Sequence, residues 1–213
     1  VKKLWKIRKK VRKIYQFERI RFLMNRTKRK IFNTAVKLFA EKGYDNASTE
    51  EITAAAGVAK GSLYYHFSKK EDIFDMLLEE GIGLLKNSVE IKTKKCNTSL
   101  EKIKAVILIE IKVIVKYEDF LNVVLSQIWG SEEKNQKCRQ VVFEYIKVLE
   151  EIVKEGIDNG EFYESDVEAT ASAIFGVTVS SLLYRLKKNR KVDVEKIYTG
   201  FIDNVTRTLS KNI

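Results

Sequence analysis

From Asn25 onward, apolar residues recur every three to four positions, which is the pattern of amphipathic helices. Over 25–42, Ile31, Ala35, Leu38 and Phe39 fall on one face, and Phe32 and Val36 widen the stripe. Asn25 or Thr27 can cap this predicted helix, and Gly43 stands where a left-handed terminating residue belongs. Ser48 and Glu51 form the Ser-x-x-Glu pattern of a capping box. It opens a helix holding Ile52, Ala55 and Ala56, which Gly57 ends. A second such box, Ser68 with Glu71, predicts a long helix reaching about Lys95. Thr98 with Glu101 starts a helix ending near Tyr117, followed by predicted helices over 118–129 and over 133–159, the latter closing at Gly160. Ser165 with Glu168 opens the next-to-last helix, 166–187, and a final one covers 193–210.

Composition agrees with this all-helical reading. Hydrophobic residues make up 45% of the 213 positions, ample for a core; there is no proline and only 10 glycines, unlike the turn-rich punctuation of a β-protein. Three units are expected: a basic extension at 1–24, a three-helix helix-turn-helix domain at 25–71, and a larger helical domain at 72–213. Charge sharpens the division. Residues 1–30 hold fourteen lysines and arginines against Glu18 alone, so this end exceeds the net charge of the whole chain, +11. A polyanion near the N-terminus is implied, nucleic acid or an anionic membrane surface. Within 1–23, Leu4, Ile7, Val11, Ile14 and Tyr15 keep helical spacing among the cations. The segment can lie on a membrane, follow DNA or pack as an extra helix; it can equally be a solvated tail upstream of a natural start at Met24.

Other chemistry is sparse. Two cysteines, Cys96 and Cys138, and a single histidine make a disulfide framework or metal centre unexpected, and they fit a reducing cytoplasm. No apolar run is expected to approach the roughly 20 residues of a membrane span. There is no nucleophile elbow, phosphate loop or metal cluster, so neither an enzyme nor a cofactor is expected.

The stretch that does carry chemistry is Ser48–Phe74. Two short helices meet at Gly57, and small residues at Ala54, Ala55, Ala56 and Ala59 let them cross closely, as a helix-turn-helix requires. The second helix exposes Lys60 for a phosphate or guanine edge, Gly61 for close backbone approach, and Ser62, Tyr64, Tyr65 and His66 as hydrogen-bonding groups. Leu63 and Phe67 tie it to the core. Thr49 lies beside the open N–H groups of the preceding helix, a natural phosphate position. Successive helical residues turn by about 100°, so Tyr64, Tyr65 and His66 cannot all face one core. Tyr64 is the one expected to be partly buried.

The segments IFNTAVKLFAEKGYDNAS, TEEITAAAGVAKGSLYYHF and SKKEDIF together resemble the DNA-binding domain of the TetR family of bacterial transcriptional repressors. The resemblance implies operator contacts at Thr49, Lys60, Gly61, Ser62, Tyr64, Tyr65, His66 and Lys70, the last on phosphate. Ala59 departs from the pattern, since many members have a phosphate-binding serine there. The resemblance further implies an Ω-shaped homodimer, an effector cavity among the middle helices and a dimer interface from the last two. Residues expected near the cavity are Glu110, which could orient a cationic group, with Tyr117, Phe120, Trp129, Phe143, Tyr145 and Phe175; the scarcity of charge over 119–129 favours a largely apolar effector. Small residues along 166–187 permit close helix contact, and Phe175, Val179, Leu182, Leu183, Phe201, Ile202 and Val205 are expected at the dimer interface. The expected function is a ligand-responsive regulator, in first place a repressor, binding a pseudo-palindromic DNA operator. The competing reading is a membrane-surface or lipid-binding protein that uses the basic N-terminal segment.

Overall fold

The computed structural model describes residues 25–128, 132–188 and 193–210. The basic extension, and with it the membrane-surface reading, lies outside them. The described residues form α1 (Arg26–Lys42), α2 (Thr49–Ala56), α3 (Lys60–His66), α4 (Lys70–Thr93), α5 (Ser99–Lys116), α6 (Glu118–Ser126), α7 (Glu133–Asp158), α8 (Val167–Lys187) and α9 (Val194–Leu209). The all-α class follows, with a helix-turn-helix at the N-terminal side and a larger helical assembly after it.

Helix ends show where local chemistry overrode the pattern. Asn25 caps α1, its side chain accepting from the Lys28 N–H at 2.9 Å. The Ser48–Glu51 box closes in both directions, at 3.1 Å each way. Gly57 takes the left-handed conformation (φ 60°, ψ 46°), whereas Gly43 has positive φ but an extended ψ of 156°. The Ser68–Glu71 box is displaced by one residue: Asp72 accepts from the N–H groups of Ser68 (2.8 Å) and Lys69 (3.2 Å), and Glu71 is left on the exposed side. Likewise Asp166, not Ser165, caps α8 by accepting from Ala169. At α8 a carboxylate binds open helix N–H groups more strongly than a hydroxyl, so the acid one residue along takes the cap. The start of α5 is covered from afar, Glu161 accepting from Ser99 (3.0 Å) and Leu100 (3.3 Å).

Two hydrophobic cores organise the packing. The first joins Ile31, Phe39, Ile52, Leu63 and Ile73 from α1–α4 with Val123 of α6 and Val142 of α7. The second is built around Ile107, Ile111, Leu149, Val153 and Leu182. Fully burying one such aliphatic side chain contributes roughly 1.5–3 kcal/mol. Phe120, Ile146 and Phe175 pack against both cores. Phe120 gets its place from a glycine: a Cβ on Gly81 would stand 2.0 Å from the Phe120 Cζ. Gly156 makes the same allowance for the buried Phe162.

One expectation about membranes needs correcting. By length and composition alone, α8 is apolar enough to cross a bilayer, and only 28% of that apolar window is buried within the chain. Its outward residues include Ala173, Gly176, Val177, Ser180 and Tyr184. Of the residues expected at a dimer interface, Val179 and Leu182 turn inward and are buried in the chain's own core, because helical period places them beside Ile174 and Thr178. Phe175, Leu183, Phe201, Ile202 and Val205 are half-buried.

Candidate nucleic-acid interface and buried cavity

Local sequence explains the posture of α3. The left-handed turn at Gly57 is closed by hydrogen bonds from the Gly57 and Val58 N–H groups back to Ala54 and Thr53. Leu63 and Phe67, both buried, tie the seven-residue helix into the core beside α1 and α2, and Lys28 covers the Phe67 ring at 5.3 Å. Every other side of α3 is then available. Lys60 and Gly61 are exposed and Ser62 is half-buried. Among the described residues Tyr65 is the most exposed large hydrophobic side chain, at 83%, and Tyr64 is also exposed, at 44%. His66 is the half-buried member of the trio, its Nε2 3.5 Å from the Asn25 amide. The sequence expectation for Tyr64 is therefore reversed: its hydroxyl turns outward to Thr49, 3.3 Å away.

Two features were not legible from the motif. Glu50 binds the Lys60 ammonium at 2.5 Å and accepts from the Thr49 hydroxyl at 3.1 Å. The Lys60 hydrogen bond holds the Glu50 carboxyl below its ordinary pKa, and the same bond raises that of Lys60. Both partners are solvent-exposed, and such pairs exchange readily for other ions. The second feature corrects the expectation for Lys70. Its Nζ donates to the carbonyls of Tyr44 (2.9 Å), Ala47 (3.1 Å) and Asp45 (3.3 Å), and it sits 4.4 Å from the Tyr44 ring centre. An ammonium has three protons to give. Lys70 thus clamps the α1–α2 loop to α4 and has none left for phosphate.

A cavity of about 30 Å³ lies among α4–α8, room for about two waters. Glu110, Tyr117, Phe120, Tyr145 and Phe175 line it, as the sequence suggested, together with aliphatic residues that no motif singles out, among them Ile82, Val113 and Leu121. Phe143 does not line it. Val142 and Tyr145 occupy the inward face of α7, which puts Phe143 on the opposite side, 55% exposed. Trp129 lies outside the described residues. Glu110 is buried, and the Tyr145 hydroxyl donates to its Oε1 at 2.8 Å. Its Oε2 makes no hydrogen bond of ordinary geometry; the neighbouring Thr178 hydroxyl gives its proton to the Ile174 carbonyl and reaches Glu110 only through a weaker contact. Burial pushes the Glu110 pKa up to about 8, against smaller opposing effects of Tyr145 and Thr178. Tyr145 is raised well above its ordinary value, by burial first and then by Glu110. Among the described residues there is no His/Cys/Asp/Glu cluster able to hold a metal.

Comparison with known proteins agrees at both ends. Residues 31–77 match the model of "Bacterial regulatory proteins, tetR family", and residues 85–211 match that of "QacR-like protein, C-terminal region". The chain is 30% identical over 175 residues to the fatty acid metabolism regulator protein of Bacillus subtilis, covering 81% of this chain and 90% of that one. It is 29% identical over 158 residues to the HTH-type transcriptional regulator QacR of Staphylococcus aureus, covering 70% and 83%. The crystal structure of the Bacillus subtilis regulator FadR in complex with stearoyl-CoA superimposes with a TM-score of 0.69 at 26% identity, over 83% of this chain and 96% of that one.

Proposed function

Because the chain belongs to the tetR family of bacterial regulatory proteins, we propose that this transcriptional regulator is an effector-released repressor. It acts in the cytoplasm as a homodimer on a pseudo-palindromic operator, and its effector is a long-chain acyl thioester. Each α3 enters a major groove. Two copies reach half-sites about 34 Å or a small multiple of a turn apart. The exposed row of α8 is the partner face: small residues allow close helix approach, and Val177 and Tyr184 supply apolar area that a single chain leaves wet.

On DNA, Lys60 exchanges Glu50 for a phosphate or guanine edge, and the hydroxyls of Thr49 and Tyr64 lie together to share a phosphate oxygen. Replacing Tyr65 with alanine is expected to weaken operator affinity by about tenfold or more, the loss of one good contact. A mobility-shift titration on the DNA upstream of the regulated gene measures it; unchanged affinity would remove α3 from the interface.

The observation that carries the reading is that the cavity shares side chains with the core under α3, Phe120 foremost and Phe175 with it. Phe120 lines the cavity, packs into the core under α3, and sits on α6, which lies against α1. The apolar lining suits an acyl chain, and the complex of FadR with stearoyl-CoA supports that ligand class. A chain of that size cannot enter the present space, so binding must displace Phe120 and α6. The effector thereby favours the state in which the two α3 helices no longer match the half-sites. The test is release of the operator fragment by stearoyl-CoA. A companion result is expected from Gly81→Ala, whose added methyl collides with the Phe120 ring. Operator binding without effector should fall by about tenfold, within the usual range of such couplings. Wild-type affinity in this variant would separate Phe120 from the switch.

A further inference from the structure

We infer that Glu110 is the polar reader of the cavity, donating a hydrogen bond from Oε2 to an uncharged acceptor oxygen, carbonyl or hydroxyl, on the bound molecule. The inference rests on the cavity being the effector site. It adds what that site selects for.

Oε1 accepts from the Tyr145 hydroxyl at 2.8 Å, so in the neutral acid the proton belongs on Oε2. Oε2 is buried and makes no hydrogen bond of ordinary geometry, and Glu110 is one of the residues lining the cavity. Few polar groups face Glu110 from the helices that line the cavity. α7 brings Tyr145 and α8 brings Thr178, whose own proton goes to Ile174. α4 offers Ile82 and Leu85, and α6 offers Phe120 and Leu121, all apolar. No cation lines the cavity to stabilise a carboxylate, and burial favours the protonated form at neutral pH. An unpaired buried donor is unfavourable until an acceptor arrives. A plain hydrocarbon chain leaves it unpaired, and a cationic ligand requires the ionised form that this surrounding disfavours. An oxygen-bearing uncharged group satisfies it. The suggestion from sequence that Glu110 orients a cation is replaced by its neutral counterpart.

The test uses the full chain and calorimetric titration with three probes: stearoyl-CoA, the thioether S-octadecyl-CoA that lacks the carbonyl, and a thioether bearing a hydroxyl on its chain. Wild type is expected to prefer an oxygen-bearing probe over the plain thioether by about tenfold, the discrimination typical of one buried hydrogen bond. Preference for the thioester places the acceptor at its carbonyl; preference for the hydroxylated thioether places it along the chain. Glu110→Gln keeps a neutral donor and should keep the preference, whereas Glu110→Leu should level it, with circular-dichroism melting confirming that both variants fold. Wild-type preference should also fade above about pH 8, where Glu110 ionises, and stay flat in Glu110→Gln. Equal wild-type affinities for all three probes overturn the inference while leaving the acyl-thioester reading intact. Loss of preference in Glu110→Gln, with tighter wild-type binding of an alkyltrimethylammonium probe, overturns it in favour of an ionised anchor. Failure of every CoA probe to bind or to release operator brings down the functional reading itself.

Discussion

Glu110→Gln is expected to stabilise the folded chain by about 2–4 kcal/mol at pH 8 and to change it little at pH 4. The free carboxyl titrates near 4.3, and burial moves the folded group up to about 8. Between these values the native state holds a proton that the unfolded chain has released. Stability therefore falls as pH rises through that window, by up to about 1.4 kcal/mol per unit. Below the window both states are protonated and no cost arises; above it the full cost is present. Glutamine does not ionise, keeps the acceptor for Tyr145 and has similar volume, so it removes the cost without opening a hole. Urea denaturation of both proteins at pH 4, 6 and 8 measures the difference between them, in which most other titrating groups cancel. A difference that stays constant with pH would mean that Glu110 ionises as freely in the fold as outside it.

Leu63→Ala is expected to cost about 2–5 kcal/mol, the range for truncating a buried leucine, and to abolish operator binding at concentrations where wild type is saturated. Leu63 is 0% exposed, and on α3 only it and the capping residue Phe67 reach the core. A seven-residue helix has little stability of its own, so its orientation depends on those two contacts. Thioester binding, whose cavity is lined mostly by residues remote from Leu63, should survive at temperatures where the variant is still folded. Chemical denaturation and the fragment shift assay read the two effects. Retained DNA affinity despite lost stability would show that α3 is held by contacts beyond its core anchor.

The same anchors explain what could be read in advance. Ile31, Phe39, Leu63 and Ile107 announce their burial by helical spacing, and the Ser48–Glu51 box and Gly57 announce the turn, because these signals are local in the chain. Lys70 is different: its partners, Tyr44, Asp45 and Ala47, lie more than twenty residues away, and a lysine at a helix start looks the same whether it faces phosphate or a loop. Glu50 escaped notice for a related reason, since its pairing with Lys60 depends on how two short helices cross. At the cavity, aromatic content found Tyr117, Phe120, Tyr145 and Phe175 but missed the aliphatic wall. Phe143 is aromatic and exposed, whereas Ile82 and Val113 are unremarkable in sequence and form the wall. Glu110 stood out as an acid in an apolar helix, but its hydroxyl partner sits 35 residues on, and the missing second partner is visible only in three dimensions.

The small volume of the cavity bears on timing. A space of about 30 Å³ holds about two waters, so on the proposed acyl-thioester reading the ligand gains room only once α6 shifts and the Phe120 ring leaves Gly81. Raising the ligand's concentration shortens the search for the door but not the wait for it to open. The pace of that helix motion, set by how firmly one ring is seated over one glycine, becomes the ceiling on how quickly the chain can answer a change in its surroundings.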